Sequence, residues 1–200
     1  MRSSVAVCAC AGIAALILSA CAARDPIVST SQATPSGNWR LERQIDRITG
    51  APLASAFLMT PNASNSAVEF PRPAMLQLSC LKSEPVVRFG FEFKVGSNRN
   101  ASLGYRFDEK PGRETDARFL QDYKTVVIED KAELAQFVSE LATSNVLYVR
   151  IRSLNFGRTA AEFRLAGAPA AIEAGFSGCE LATGRTVKRT SARATDQAMD

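Results

Sequence analysis

The chemistry open to this chain runs through cysteine, carboxylate and arginine. It contains five cysteines and no histidine among 200 residues. Without imidazole, serine–histidine and cysteine–histidine nucleophile pairs are ruled out and a zinc site is disfavoured. The carboxylates left for acid–base work, Asp116, Asp122, Glu129 and Asp130, share no motif that fixes a separation between them. No glycine-containing segment joins strand, glycine cluster and helix as a phosphate loop requires. Neither a metal nor a cofactor is expected. Five arginines, Arg88, Arg106, Arg150, Arg152 and Arg164, sit at or beside the polar positions of alternating apolar segments. If those segments are strands of one sheet, all five lie on its polar face. That face either binds an anionic polymer or an acidic protein, or is a solvated surface whose arginines pair across strands with Glu92, Asp108 and Glu162.

Arg2 and the uncharged apolar run of residues 5–18 have the layout of a signal peptide, a basic start and an apolar stretch too short for a membrane helix. The run closes on Leu18-Ser19-Ala20-Cys21, a branched apolar residue, two small residues and a cysteine. This resembles the lipobox of bacterial lipoproteins. The resemblance implies cleavage before Cys21, a diacylglycerol on its thiol and an acyl chain on its new amino group. Several chains, each contributing about 0.8 kcal/mol per buried CH₂, anchor stably where one binds only reversibly. Ala22 and Ala23 follow, with no aspartate in the second mature position. By analogy with lipoprotein sorting, that implies the periplasmic face of the outer membrane rather than the inner membrane. The alternative is an uncleaved amino-terminal helix, with the apolar run extended through Ala23. Both place the remaining chain outside the cytoplasm.

Cys8 and Cys10 leave with the leader and Cys21 carries lipid, so Cys80 and Cys179 remain. An even pair in an oxidising compartment reads as a disulfide. The chain then divides into a signal peptide at 1–20, a flexible Ser/Thr/Ala/Pro-rich tether at 21–37, one folded β-rich domain at 38–182 and a polar tail at 183–200. The tail lacks apolar periodicity and is expected to be disordered. The net charge of +4 includes Arg2 of the leader. So mild an excess, at a periplasmic address, argues against a nucleic-acid partner.

Residues 87–95 (VRFGFEFKV) alternate in strict period two, with Val87, Phe89, Phe91, Phe93 and Val95 on the apolar face. The same alternation recurs at 76–81, 103–107, 147–151 and 161–165. Turn-forming residues at 83–85 and 96–100 make the first three an expected antiparallel meander. Residues 53–59 read as a further strand, whereas 39–48 satisfy both strand and helix spacing. Residues 109–118 read as a charged loop, followed by a strand at 123–128. Asp130 and Glu133 resemble a capping box, and Leu134, Phe137, Val138 and Leu141 then form one helical face. Gly167-Ala168-Pro169 starts a second short helix that presents Ile172, Phe176 and Cys179 on one side. Cys80 shares a strand face with Leu76 and Leu78, so both thiols point inward. The expected fold is mainly β with α, an antiparallel sandwich-like sheet with one packed helix, a short carboxyl-terminal helix and one disulfide.

The order Trp39, Leu76-Gln77-Leu78-Ser79-Cys80, Tyr105-Arg106, a helix, Phe163-Arg164-Leu165-Ala166-Gly167 and Cys179 resembles the VasI-like periplasmic proteins associated with type VI secretion, and a wider group of envelope proteins. The resemblance implies a similar fold and supplies no catalytic residues to carry over to this sequence. Together these readings favour a non-enzymatic envelope lipoprotein that binds or scaffolds a partner, over a hydrolase or inhibitor that works through surface carboxylates or loops. Mass spectrometry of the mature protein is expected to show an acylated Cys21 at its amino terminus. A Cys21→Ala protein that stays in the membrane fraction would identify the uncleaved helix instead.

Overall fold

The computed structural model describes residues 28–179. Residues 1–20, the lipidation residue Cys21 and the 183–200 tail lie outside that range. Among the described residues, every strand pairing is antiparallel and all strands join one 11-stranded sheet. The expected mainly-β fold with helices and one disulfide is present, the sandwich-like arrangement taking the form of a single sheet curled into a half-barrel.

The long strand β3 (Pro52–Asn65) is the pivot of this curl. Along its first half it pairs with β2 (Trp39–Asp46) on one edge and with β4 (Arg72–Leu81) on the other. Its register then shifts between Thr60 and Ala63, at Pro61, which has no N–H to give to a ladder. Beyond this bulge, Ser64 and Asn65 pair with β11 (Gly157–Arg164) on the edge that β2 has vacated. From β11 the sheet continues through β10 (Val146–Ser153), β6 (Ala101–Phe107) and the short β7 (Arg113–Thr115). From β4 it continues through β5 (Glu84–Phe91), β9 (Thr125–Ile128) and β8 (Arg118–Phe119).

The ambiguous segment 39–48 is therefore a strand as far as Asp46 and a turn beyond it, and β1 (Val28–Ser36) pairs along the strand from Val28 against Asp46 to Ser36 against Trp39. The segment expected as a tether thus holds a strand. Its serines and threonines tolerate an edge position, and Gly37, at a φ of +56°, makes the reversal. That reversal is stitched to the end of β11. Asn38 N donates to Ala166 O at 2.9 Å, Asn38 Nδ2 to Arg164 O at 3.0 Å and the buried Trp39 Nε1 to Leu165 O at 3.3 Å. A Cβ on Gly37 would lie 2.2 Å from Ala166 O, and one on Gly167 2.2 Å from Ser36 O, so only glycine fits either position.

Other boundaries differ from expectation for identifiable reasons. β4 and β5 do form a hairpin, but its turn is Lys82-Ser83, both at positive φ, and Glu84 and Pro85 already pair with Leu81 and Cys80. β5 ends at Phe91, where the chain turns to donate Val95 N to Tyr123 O. Phe93 and Val95 are buried outside any strand. The meander stops after two strands, because β5 takes β9 as its other neighbour and β6 pairs with β10 and β7. The charged loop contains β7 and ends on Arg118, the first residue of β8.

Two helices close the concave side. In α1 (Lys131–Leu141), the Asp130 carboxylate accepts from Ala132 N and Glu133 N, as the cap motif predicts. Glu133 does not complete a reciprocal box: its carboxylate accepts from the Tyr105 hydroxyl and faces Arg113. Leu134, Phe137, Val138 and Leu141 are buried as expected. In α2 (Ala168–Gly175), Gly167 is the N-cap and Pro169 sits in the first turn. Ile172, Phe176 and Cys179 are buried, and Cys179 is bonded to Cys80 with Cα atoms 5.7 Å apart. The bond ties residues 99 positions apart, which in a chain-entropy model limits the unfolded ensemble by up to ~4.7 kcal/mol.

Replacing both cysteines (Cys80→Ala with Cys179→Ala) is expected to cost about 2–4 kcal/mol in urea unfolding, and non-reducing thiol labelling of the native protein should modify neither position. Unchanged stability would remove the staple from this account.

Candidate functional site

The inward positions of β6, β10 and β11 are filled by Leu103, Tyr105, Phe107, Leu147, Val149, Ile151, Ala161 and Phe163. Strand alternation sends the intervening residues to the outer face. There the register forms three cross-strand rows: Arg106, Tyr148 and Glu162; Gly104, Arg150 and Ala160; Ser102, Arg152 and Arg158. Ser64 of β3 extends the second row beyond Ala160, and Glu114 of β7 extends it beyond Gly104. Because Gly104, Ala160 and Ser64 are small, this middle row is low. It is part of a groove of about 680 Å³ whose lining includes Arg106, Arg113, Tyr148, Arg150 and Glu162.

The cations of this face share few carboxylates. Arg150 lies across Gly104 to reach Glu114 at 2.9 Å, and Arg152 reaches the same carboxylate at 3.7 Å. Arg106 stacks over the Tyr148 ring at 4.9 Å from its centroid and approaches Glu109 at 3.8 Å. Arg164 pairs with Glu162 at 3.1 Å. These pairs are solvent-exposed, so each holds its arginine by at most about 1 kcal/mol. Arg152 stands directly opposite Arg158 in the β10–β11 register. Like charges in that position repel.

Arg106, Arg150, Arg152 and Arg164 therefore share one outer face, as their alternation predicts, but Arg88 does not join them. It lies on β5 between Gln77 and Val127, with β4, β3 and the long axis of the sheet between it and the groove. Its Nε is buried without a hydrogen-bond partner among the described residues. Of the three carboxylates expected to pair across strands, Glu162 bonds Arg164 along its own strand. Asp108 instead accepts from the N–H groups of Asn145 and Val146, fixing the start of β10. Glu114, Arg113 and Arg158 escape sequence reasoning. The first two lie in a segment that reads as a loop, and Arg158 precedes the alternating run that marks β11.

The carboxylates considered for acid–base work serve local structure. Burial pushes the Asp122 carboxyl up, but hydrogen bonds from the Thr125 hydroxyl and the Lys124 and Thr125 N–H groups outweigh it and hold it below its ordinary range. A two-pronged bond from Arg118 holds Glu129 low. Asp130 caps α1, and Asp116 is exposed. Among the described residues, the strongly perturbed group is Tyr105. Burial and its hydrogen bond to the Glu133 carboxylate push its phenol well above the usual range, against a smaller opposing effect of Arg113. It remains a neutral donor at physiological pH and cannot act there as a base.

No protein-family model matches the chain, and no curated protein matches it. Among solved structures it is similar to invasion-associated protein B from Bartonella henselae, at 14% identity and a TM-score of 0.47, over 71% of this chain and 94% of that one.

The Tyr105 bond leaves a signature in pH dependence. The folded protein holds this proton where an unfolded tyrosine, with a pKa of 10.0, loses it, so its contribution is complete below pH 10 and declines as pH rises further. Tyr105→Phe is expected to cost about 1 kcal/mol at neutral pH and to flatten the loss of stability above pH 10. Parallel stability–pH curves for the two proteins would contradict the assignment.

Proposed function

We propose that the chain is an outer-membrane lipoprotein, anchored through Cys21 and facing the periplasm, whose domain binds an anionic partner of the cell envelope and catalyses no reaction. The observation that carries the binding role is the juxtaposition of Arg152 with Arg158 beside Arg150, three guanidinium groups with Glu114 bonded to two of them. A cross-strand pair of like charges weakens the sheet by several tenths of a kcal/mol, and a carboxylate or phosphate lying between them turns that repulsion into charge-assisted hydrogen bonds worth about 1.5–3 kcal/mol each. Arginine forks suit such planar anions, and the groove beside them gives an extended partner room to lie. The lipobox supports the address, and the Cys80–Cys179 bond accords with an oxidising compartment. The resemblance to VasI-like proteins makes a component of a secretion apparatus one partner of this kind.

In-cell crosslinking followed by pulldown of the native lipoprotein from its membrane tests the reading. A partner should be recovered, and Arg158→Glu should lower its recovery about tenfold, the effect of ~1.4 kcal/mol. Lys131→Glu, a reversal of the same size on α1, should leave recovery unchanged. Recovery of no partner, or equal losses in the two variants, would refute the binding role.

A further inference from the structure

Two of the most exposed large apolar side chains stand at opposite ends of β3. Ile48, 79% exposed, tops the turn between β2 and β3, before Pro52, whereas Leu154, 88% exposed, tops the β10–β11 hairpin. That hairpin is held beside the far end of β3, with Asn65 Nδ2 donating to Phe156 O at 2.8 Å and Ser66 N to Arg158 O at 3.0 Å. Strand β3 is 14 residues long, so about 40 Å of chain separates the tips. The arginine groove includes Asn62 and Ser64 and belongs to the Leu154 half.

The Ile48 turn is the tip next to which the chain enters the fold. Val28, the first described residue, pairs with Asp46, where the turn begins. Cys21 is seven residues upstream. Even fully extended, seven residues span only about 25 Å, and as a coil roughly 15 Å. The turn itself is closed by hydrogen bonds. The Asp46 carboxylate accepts from Ile48 N at 2.8 Å and the Thr49 hydroxyl at 2.9 Å, and Gly50 N donates to Asp46 O at 2.7 Å. Those hydrogen bonds engage the carboxylate within the turn and hold it below its ordinary range, while Arg47 is exposed beside Ile48. An exposed branched apolar side chain next to a guanidinium is suited to the boundary between acyl chains and phosphate headgroups.

We infer that the β2–β3 turn docks on the bilayer that holds the acyl chains, with Ile48 seated among the upper acyl carbons and Arg47 at the phosphates. The inference rests on the lipid anchor proposed above. Docking at this tip stands the domain on end and presents the arginine face and the Leu154 hairpin to the periplasm. One apolar contact is a weak anchor alone; here it needs only to orient a domain already held close by lipid.

With Cys21 acylated and Cys80 bonded to Cys179, Ile48→Cys and Leu154→Cys each introduce the sole free thiol of the mature protein. Each full-length lipidated variant is labelled with a polarity-sensitive fluorophore and reconstituted into phosphatidylethanolamine–phosphatidylglycerol vesicles, with and without brominated acyl chains. Brominated lipid is expected to quench the probe at 48 several-fold and to leave the probe at 154 unchanged. Protein that floats with the vesicles but shows no quenching at 48, or equal quenching at both positions, overturns the docking while leaving the lipid anchor intact. Protein that carries no acyl group and does not float overturns both.

Discussion

An open antiparallel sheet has an apolar face that it cannot bury by itself, and in this molecule the side chain that solves the problem is Phe137. Its ring lies 6.0 Å from Phe89 of β5 and 5.1 Å from both Tyr105 and Phe107 of β6, strands from the two halves of the curled sheet. Phe89 in turn meets Phe163 of β11 at 6.2 Å. A helix ring thus makes the two halves share one core, and a fully buried phenylalanine of this kind is worth about 3–5 kcal/mol on truncation. Everything that places Phe137 serves the same end. The Asp130 cap starts α1 at the right residue, and the Glu133 bond to Tyr105 ties its first turn to β6. The Cys80–Cys179 bond does for α2 and β4 what those contacts do for α1.

Filling the concave side in this way decides what the convex side can be. With every second residue of β6, β10 and β11 committed to the core, the alternate positions must face water, and they hold arginines separated by small residues. The row of Gly104, Ala160 and Ser64 lowers the surface between them, and Glu114 is shared between Arg150 and Arg152. The anionic-partner reading uses this excess of guanidinium over carboxylate. The lipid-anchor and turn-docking proposals then orient it, because chain entry at Val28 and the groove occupy different ends of β3.

The sequence was most informative where a single local rule decided the outcome. The alternation of Val87, Phe89 and Phe91, the aspartate cap before Leu134 and Phe137, and the inward sides of Cys80 and Cys179 all follow from residue spacing, and all are found. Strand partnership was not legible, because period two states which face is buried and says nothing of which strand lies alongside. Hence β6 was expected beside β5 and lies beside β10. β1 was hidden by a composition of Ser, Thr, Ala and Pro that suits an edge strand as well as a coil, and β7 by the charges that make it part of the site. The same limit separated Arg88 from the other four arginines: all five satisfy the alternation, but the path from β5 to β10 around the half-barrel is a property of topology.

The central claim is that the outer face of β6, β10 and β11 is the surface the protein uses in the envelope. Arginine-selective chemical footprinting, performed on intact cell envelopes and on the purified protein, tests it directly. The account predicts that Arg106, Arg150, Arg152 and Arg158 are protected in the envelope relative to the purified protein, while Arg40 and Arg118, on the other half of the sheet, react equally in both. Equal reactivity of these four arginines of the outer face in the two preparations, or protection confined to Arg40 and Arg118, would contradict it.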